Sequence, residues 1–199
     1  MHPYEDRILV DEKRGLFAVA DGVTHSTRGS GGVAAELALR LLHDYFTNDV
    51  VEAMKKIHQK VMRERENDIT IGETTLTVAS VRGDYLSVGN IGDSPAYLIH
   101  RGVVHAMFTA DTSPLGYITQ VVGHPKNIRV HIVEARLRRG DMVIVASDGV
   151  GHVLRPSFVV PLTKGLNSDS VVKEIIQEAQ LKVNEYDDDK SMVVLRVVG

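Results

Sequence analysis

The chain has 199 residues, a formal net charge of −3 and no cysteine. This length fits one domain, and 43% hydrophobic with 25% charged residues is typical of a globular protein. The lack of cysteine excludes disulfide frameworks, thiolate metal sites and cysteine nucleophiles. There is no signal-peptide pattern, and no apolar run approaches the ~18–20 residues of a membrane helix. A near-neutral charge and 5% aromatic residues offer little to nucleic acid, so we expect a monomeric cytoplasmic domain spanning residues 1–199, without membrane or nucleic-acid partners.

The first third of the chain predicts a hairpin followed by two helices. Two short apolar runs, 7–11 and 15–20, flank a polar turn. From Gly31 the apolar residues recur every four positions, which predicts a helix. Asp49 and Glu52 form a capping-box pattern at the start of a second helix. The apolar positions of the two helices are Val33, Ala34, Leu37, Ala38, Leu41, Leu42, Tyr45 and Phe46, then Val50, Met54, Ile57 and Val61.

The remaining two thirds alternate mainly between predicted strands and short turns. A third helix is predicted over 168–184 from its apolar period. Short turns imply antiparallel pairing, because parallel neighbours need crossovers of about a dozen residues or more. The predicted fold is therefore α+β, a four-layer α-β-β-α sandwich in which helices 31–65 cover one antiparallel sheet and helix 168–184 covers the other. The predicted strands are 74–81, 85–91, 95–100, 103–108, 128–134, 142–147 and 191–198.

Acidic residues recur at the ends of these apolar runs. A single Asp-Gly is an ordinary turn signal, but several carboxylates at one edge would repel each other by ~4 kcal/mol per pair at ~4 Å. Such a group needs raised pKa values or a bound cation. Oxygen ligands without paired histidines favour Mg²⁺ or Mn²⁺ over Zn²⁺, and two such ions are a recurrent device for attack on phosphorus. The acidic segments are Glu5-Asp6, Asp21-Gly22, Gly92-Asp93-Ser94, Asp148-Gly149 and Asp187-Asp188-Asp189.

Six segments follow one another along the chain: Glu5-Asp6, FAVADG (17–22), GETTLTVA (72–79), NIGDSPAYL (90–98), GDMVIVASDGV (140–150) and DDKSMVV (188–194). In this order they resemble the protein phosphatase 2C family, whose members are metal-dependent serine/threonine phosphatases, here of the microbial type. The resemblance implies a β-sandwich flanked by helices, a phosphoprotein substrate, and two Mn²⁺ or Mg²⁺ ions with room for a third. It also implies hydrolysis of phosphoserine and phosphothreonine by a water between the two ions, without a covalent phosphoenzyme.

The resemblance also implies a role for each metal ligand. Asp21 bridges the two ions, and Asp21 with Asp148 forms the catalytic pair. Glu5 and the Gly22 carbonyl complete the shell of one ion, directly or through water. Asp148 and Asp188 hold the other ion, and Asp93 helps to bind the third.

Neighbouring residues leave alternatives open around these ligands. The family's pattern favours Asp188 over Asp187 and Asp189, with a register uncertain by one residue. Supporting rather than ligating roles fall to Asp6, Thr74 and Ser191.

This sequence departs from the family pattern in three places. The family's phosphate-binding arginine, about four residues before the first glutamate, falls on Met1, so we expect a truncated N-terminal strand, with Arg7 or Arg28 as substitutes. Val23 stands where animal members carry a histidine, and His25 is a nearby alternative. The stretch 111–139 is short, which predicts a reduced flap over the substrate.

Two other functions compete with this hypothesis, namely a non-catalytic or weakly active signalling module that keeps the fold, and a phosphatase of small phosphoesters. The glycine-rich run 27–32 could bind an anion through its backbone N–H groups. The basic residues of the second predicted helix are best explained as a solvated face, with a docking surface as the alternative.

Overall fold

The computed structural model describes residues 4–24, 26, 28–181 and 188–198. In these residues the strands pair into two sheets, and every pair of neighbouring strands is antiparallel. The first sheet has the order β1 (Arg7–Asp11), β2 (Leu16–Ala20), β3 (Leu76–Arg82), β4 (Tyr85–Ile91) and β7 (His131–Arg136). The second has the order β6 (Val103–Ala106), β5 (Ala96–His100), β8 (Met142–Ala146) and β9 (Met192–Arg196).

Helices cover the outer face of each sheet. On the first sheet, α1 begins after the N-cap residue Ser30, and α2 after Asp49, whose side chain accepts the backbone N–H of Glu52. None of the described helices is long and apolar enough to cross a membrane. The helices are α1 (Gly31–Tyr45) and α2 (Val50–Asn67) on the first sheet, and α3 (Asp148–Gly151), α4 (Pro156–Thr163) and α5 (Ser168–Leu181) on the second.

Buried apolar side chains fill the three interfaces between these layers. One cluster, which includes Leu42 and Met54, joins α1 and α2 to the first sheet. A second, with Val19 and Val143, lies between the two sheets. A third, with Ile175, joins the second sheet to its helices. The predicted four-layer α-β-β-α sandwich is therefore confirmed.

Local details differ from the sequence-based predictions. Val33 and Tyr45 are 42% and 39% exposed, so the predicted buried stripe was too wide on this side of α1. The predicted strand 128–134 begins later, at His131. Helix α4 lies in a stretch for which the sequence predicted no element. Its prolines at 156 and 161 stand at its first position and near its end.

Candidate metal centre

The acidic segments meet at one end of the sandwich. Strands β2, β4 and β8 end there, and β1, β3 and β9 begin there, because neighbouring strands are antiparallel. The residues that follow or precede these strand ends are therefore brought together from distant parts of the chain. They are Glu5, Asp6, Asp21, Asp93, Asp148, Asp188 and Asp189.

Asp21 lies at the centre of this group. The surrounding protein raises the pKa of Asp21 well above its ordinary value, and the charges of Asp6, Asp148, Asp188 and Asp93, in that order, raise it further. Four of the six predicted ligands therefore interact electrostatically.

The carboxyls around Asp21 are destabilised in their charged forms. Burial raises the pKa of Asp6 to about 6, against the lowering effect of nearby Ser147 and Ser191, and its Oδ2 atom is buried without a hydrogen-bond donor. Burial is also the main cause that raises the pKa of Asp93, Asp148 and Asp188. Because Asp148 and Asp188 remain exposed to solvent, the group is open to solvent rather than enclosed in the core.

This arrangement suits divalent cations. In the part of the chain that the structure describes, no three acidic or histidine side chains already converge as ligands of one ion do. The carboxyls of Asp21 and Asp188 lie close enough to that of Asp148 to influence its pKa. Bound cations would supply the positive charge that this group and the unpartnered oxygen of Asp6 lack.

The backbone of Asp21 is held by the start of β3. Its N–H donates to Thr75 Oγ1 at 3.0 Å, and its carbonyl accepts both Thr75 N–H at 2.8 Å and Thr74 Oγ1 at 2.9 Å. Glu73, which directly precedes Thr74, is bound by the buried Arg65. The Arg65 guanidinium group donates to Glu73 Oε1 at 2.9 Å and to the Gly123 carbonyl at 2.7 Å. A buried ion pair thus supports the segment that fixes the central carboxylate, and Thr74 has the supporting role that was predicted for it.

Glu5 is hydrogen-bonded to the start of α1. Its Oε1 accepts Ser30 Oγ at 2.9 Å and the Gly32 N–H at 3.2 Å, at the start of α1. The adjacent Asp6 has its carboxyl next to Asp21 instead. The participation of Glu5 in a metal shell stays a prediction. Asp6, to which the sequence assigned only a supporting role, lies close to Asp21.

The two described acids of the 187–189 cluster have different surroundings. Asp188 interacts with Asp148 and Asp21, whereas the Asp189 carboxylate accepts the backbone N–H groups of Glu5 and Asp6. A Cβ atom on Gly149 would lie 2.1 Å from the Asp189 carbonyl oxygen, so the Asp148 loop needs glycine for this approach. Asp187 lies outside the described residues.

The glycine-rich run serves backbone packing in this structure. A Cβ on Gly22 would lie 2.4 Å from the Gly31 carbonyl carbon, and a Cβ on Gly31 would lie 2.3 Å from that of Gly22. The N–H of Ser30 donates to Thr70, and that of Gly32 to Glu5. These N–H groups are therefore used within the protein rather than being turned to an anion.

Neither candidate substitute for the family's arginine is directed at the carboxyls. Arg7 pairs with Glu36 at 3.0 Å and donates to the carbonyls of Tyr4 and Asp6. Arg28 donates to the Arg65 carbonyl. The alternative residue His25 lies outside the described residues, as does Thr27.

Sequence reasoning also missed Asp111. Its Oδ2 accepts the Gly92 N–H at 3.1 Å, its Oδ1 lies 2.9 Å from His131 Nε2, and its charge contributes to the raised pKa of Asp93. The available signal was its place in a polar stretch after a predicted strand, the pattern that identified the other acids.

Raised carboxyl pKa values predict a pH-dependent response to metal. Above about pH 4 the carboxyls of the unfolded chain lose their protons, whereas those of the folded chain keep theirs to a higher pH. The stability of the metal-free protein therefore falls as the pH rises through 6, the value near which Asp6 titrates. Mn²⁺ at about 100 times its Kd should add about 2.7 kcal/mol, or roughly 5–10 °C in Tm, at pH 7.5. The gain should be smaller at pH 5.0, where the ion must displace protons. Scanning calorimetry at both pH values tests this, with the exposed-site variant Asp44→Asn as control; equal gains at the two pH values would contradict it.

Comparisons with known proteins identify the family and the fold. The sequence model of the protein phosphatase 2C family matches residues 2–190. The chain is 27% identical over 177 residues to probable protein phosphatase 2C 71 of Oryza sativa subsp. japonica, across 86% of this chain but only 38% of that protein's length. It is 26% identical over 220 residues to the serine/threonine phosphatase stp of Listeria innocua, across 94% of this chain and 85% of that one. Its fold matches the catalytic domain of the serine/threonine protein phosphatase PstP, solved with two manganese ions, at a TM-score of 0.79 and 21% identity over 100% of this chain and 94% of that one.

Proposed function

Because the chain belongs to the protein phosphatase 2C family, a family of metal-dependent protein phosphatases, we propose that residues 1–199 act as one domain that hydrolyses phosphoserine and phosphothreonine in proteins. The observation that carries this proposal is the group of carboxyls around Asp21, whose burial and mutual repulsion raise their pKa values. Such a group is suited to bind divalent cations, and the two manganese ions of the PstP catalytic domain support the same chemistry here.

We propose the following division of ligands between two ions, Mn²⁺ or Mg²⁺. Asp21 would contact both ions, Asp148 and Asp188 would hold one, and Asp93 would contribute to a third, weaker site. The central position of Asp21 and its interactions with these three carboxyls support this division. The shell of the other ion would be completed, directly or through water, by Glu5 and the Gly22 carbonyl.

When bound, the ions would lower the pKa of a water molecule and neutralise charge on the phosphate. The chain's own residues position and expose this site. Thr74 and Thr75 fix the backbone of Asp21, while Asp148 and Asp188 leave the group of carboxyls open to solvent. A phosphoserine side chain can therefore reach the carboxyls from outside, and no covalent intermediate on a cysteine is available.

Hydrolysis of a phosphothreonine peptide tests the proposal. We expect turnover in 1 mM Mn²⁺ and its loss in excess EDTA, with recovery when Mn²⁺ is restored. Phosphate release is measured by a colorimetric assay, with the unphosphorylated peptide as blank. Full activity in EDTA would contradict the proposal.

A non-catalytic binding module is the second candidate, because Arg7 and Arg28 are both engaged away from the carboxyls. It differs from the enzyme in what it predicts for metal and turnover. Titration calorimetry with Mn²⁺ should give tight binding for the enzyme and weak or no binding for the module. Turnover of phosphopeptides beside small phosphoesters, under the same conditions, separates a protein phosphatase from a small-molecule one.

A further inference from the structure

A polar cavity of about 580 Å³ lies at the opposite end of the sandwich from the carboxyls. The β5–β6 turn, the loop that leads into β8 and the C-terminal part of α4 form its walls. We call it the basic pocket, because its lining includes Arg101, Arg138, Arg139 and Lys164.

These four positive charges are not balanced by acidic neighbours. In the described part of the chain, none of them forms an ion pair with a carboxylate. The single acid of the lining, Asp141, is buried and already engaged: its Oδ1 lies 2.8 Å from His100 Nδ1, and its Oδ2 accepts the Arg138 N–H at 2.8 Å. A concave site with like charges and no counter-charge attracts anions.

Arg101 occupies a backbone position that disfavours arginine. It forms the two-residue β5–β6 turn with Gly102, and the φ angles of both are positive, 49° and 78°. Such turns favour Asn-Gly, since asparagine tolerates the left-handed region better than most residues. A cationic side chain is therefore present at the pocket despite its backbone cost, which is a recurrent mark of functional positions.

The basic pocket is separate from the metal centre. Strand β5 (Ala96–His100) connects the two regions and spans roughly 13 Å. Its first residue follows the Asp93 loop, and its last residue, His100, borders the basic pocket. One small molecule therefore cannot occupy both.

We propose that the basic pocket binds a soluble small molecule that carries a chain of two or more phosphates. Its volume falls in the range of small-molecule sites, roughly 300–1,000 Å³. Arginine guanidinium groups bind phosphate oxygens through paired hydrogen bonds, and three arginines contribute to this lining. Side chains that could accommodate a large apolar group are few, chiefly Ile99 and Val160.

Titration calorimetry with inorganic tripolyphosphate tests this proposal on the full chain. The protein is first freed of metal on a chelating resin, because the group of carboxyls then repels polyphosphate and cannot contribute binding. We expect one site per chain. ATP is titrated in parallel: an affinity equal to that of tripolyphosphate identifies the phosphate chain as the ligand, and a tenfold tighter one identifies a nucleotide. Absence of binding by both overturns the proposal.

Charge-matched variants separate the pocket from general attraction. The triple variant Arg101→Ser, Arg139→Ser, Lys164→Ser should weaken tripolyphosphate binding by about 100-fold or more. The control variant Lys55→Ser, Lys56→Ser, Arg63→Ser removes the same charge from the exposed face of α2 and should bind within about threefold of the parent. Equal losses in the two variants would overturn the proposal.

Arg101→Asn gives a readout in which binding and stability change in opposite directions. Asparagine suits the left-handed backbone, so the variant should raise Tm by about 1–3 °C. It should also weaken tripolyphosphate binding by about tenfold. Unchanged affinity in a folded Arg101→Asn protein would exclude Arg101 from the site.

Discussion

Asp21→Asn should lower phosphopeptide turnover by about 10³-fold or more, and should raise Tm of the metal-free protein at pH 7.5. The first effect follows because Asp21 would be shared by both ions, and metal ions contribute several kcal/mol to the transition state, each tenfold in rate being about 1.4 kcal/mol. The second follows because the amide removes a charge that the surrounding protein and four carboxyls disfavour. Steady-state kinetics in Mn²⁺ and calorimetry without metal measure the two effects.

The opposite signs make the Asp21 variant informative. A residue needed only for folding would lose stability and activity together. Asp44→Asn, on an exposed position of α1, is the matched control and should change neither quantity. An Asp21→Asn protein that keeps a tenth or more of parental turnover would rule out its central role.

Arg65→Ala should destabilise the protein by about 3–5 kcal/mol, because it leaves a buried carboxylate without its cation. The guanidinium group donates to Glu73 Oε1, to the Gly123 carbonyl at 2.7 Å and to the Ile71 carbonyl at 3.2 Å. Both charged side chains are at most 7% exposed, so water cannot replace these bonds. A fall in Tm of roughly 6–20 °C is expected for a chain of this size.

Two comparisons isolate the ion pair. Lys55→Ala lies on the same helix at an exposed position and should change the free energy of unfolding by less than about 0.5 kcal/mol. The double variant Arg65→Met, Glu73→Met removes both charges and should recover much of the loss. If Arg65→Ala and Lys55→Ala have equal stability in urea unfolding, the buried pair contributes nothing measurable.

The fold was largely predictable because its strands and helices have clear periods. Alternation and short turns marked the antiparallel strands, and the four-residue repeat after Gly31 marked α1. Periodicity made the buried stripe of α1 too wide on the side that carries Val33 and Tyr45. It missed α4 because the local sequence does not contain the tertiary packing that stabilises that helix.

The sequence predicted which acidic residues come together, but not which partners each of their side chains contacts. Acids at the ends of apolar runs indicated which residues would meet, and Asp21, Asp93, Asp148 and Asp188 do interact. Two adjacent acids have different partners from distant parts of the chain: Glu5 binds the start of α1, and Asp6 lies close to Asp21. Such partners are set by three-dimensional packing, which neighbouring sequence does not contain.

The contact between Gly22 and Gly31 couples the position of α1 to that of the metal centre. The two backbones touch directly, with no side chain between them that could change rotamer and absorb a displacement. A force that shifts the first turn of α1 is therefore transmitted to the residue that follows Asp21. Although its own side chains lie outside the group of carboxyls around Asp21, this helix forms part of the rigid frame that sets the spacing of those carboxyls.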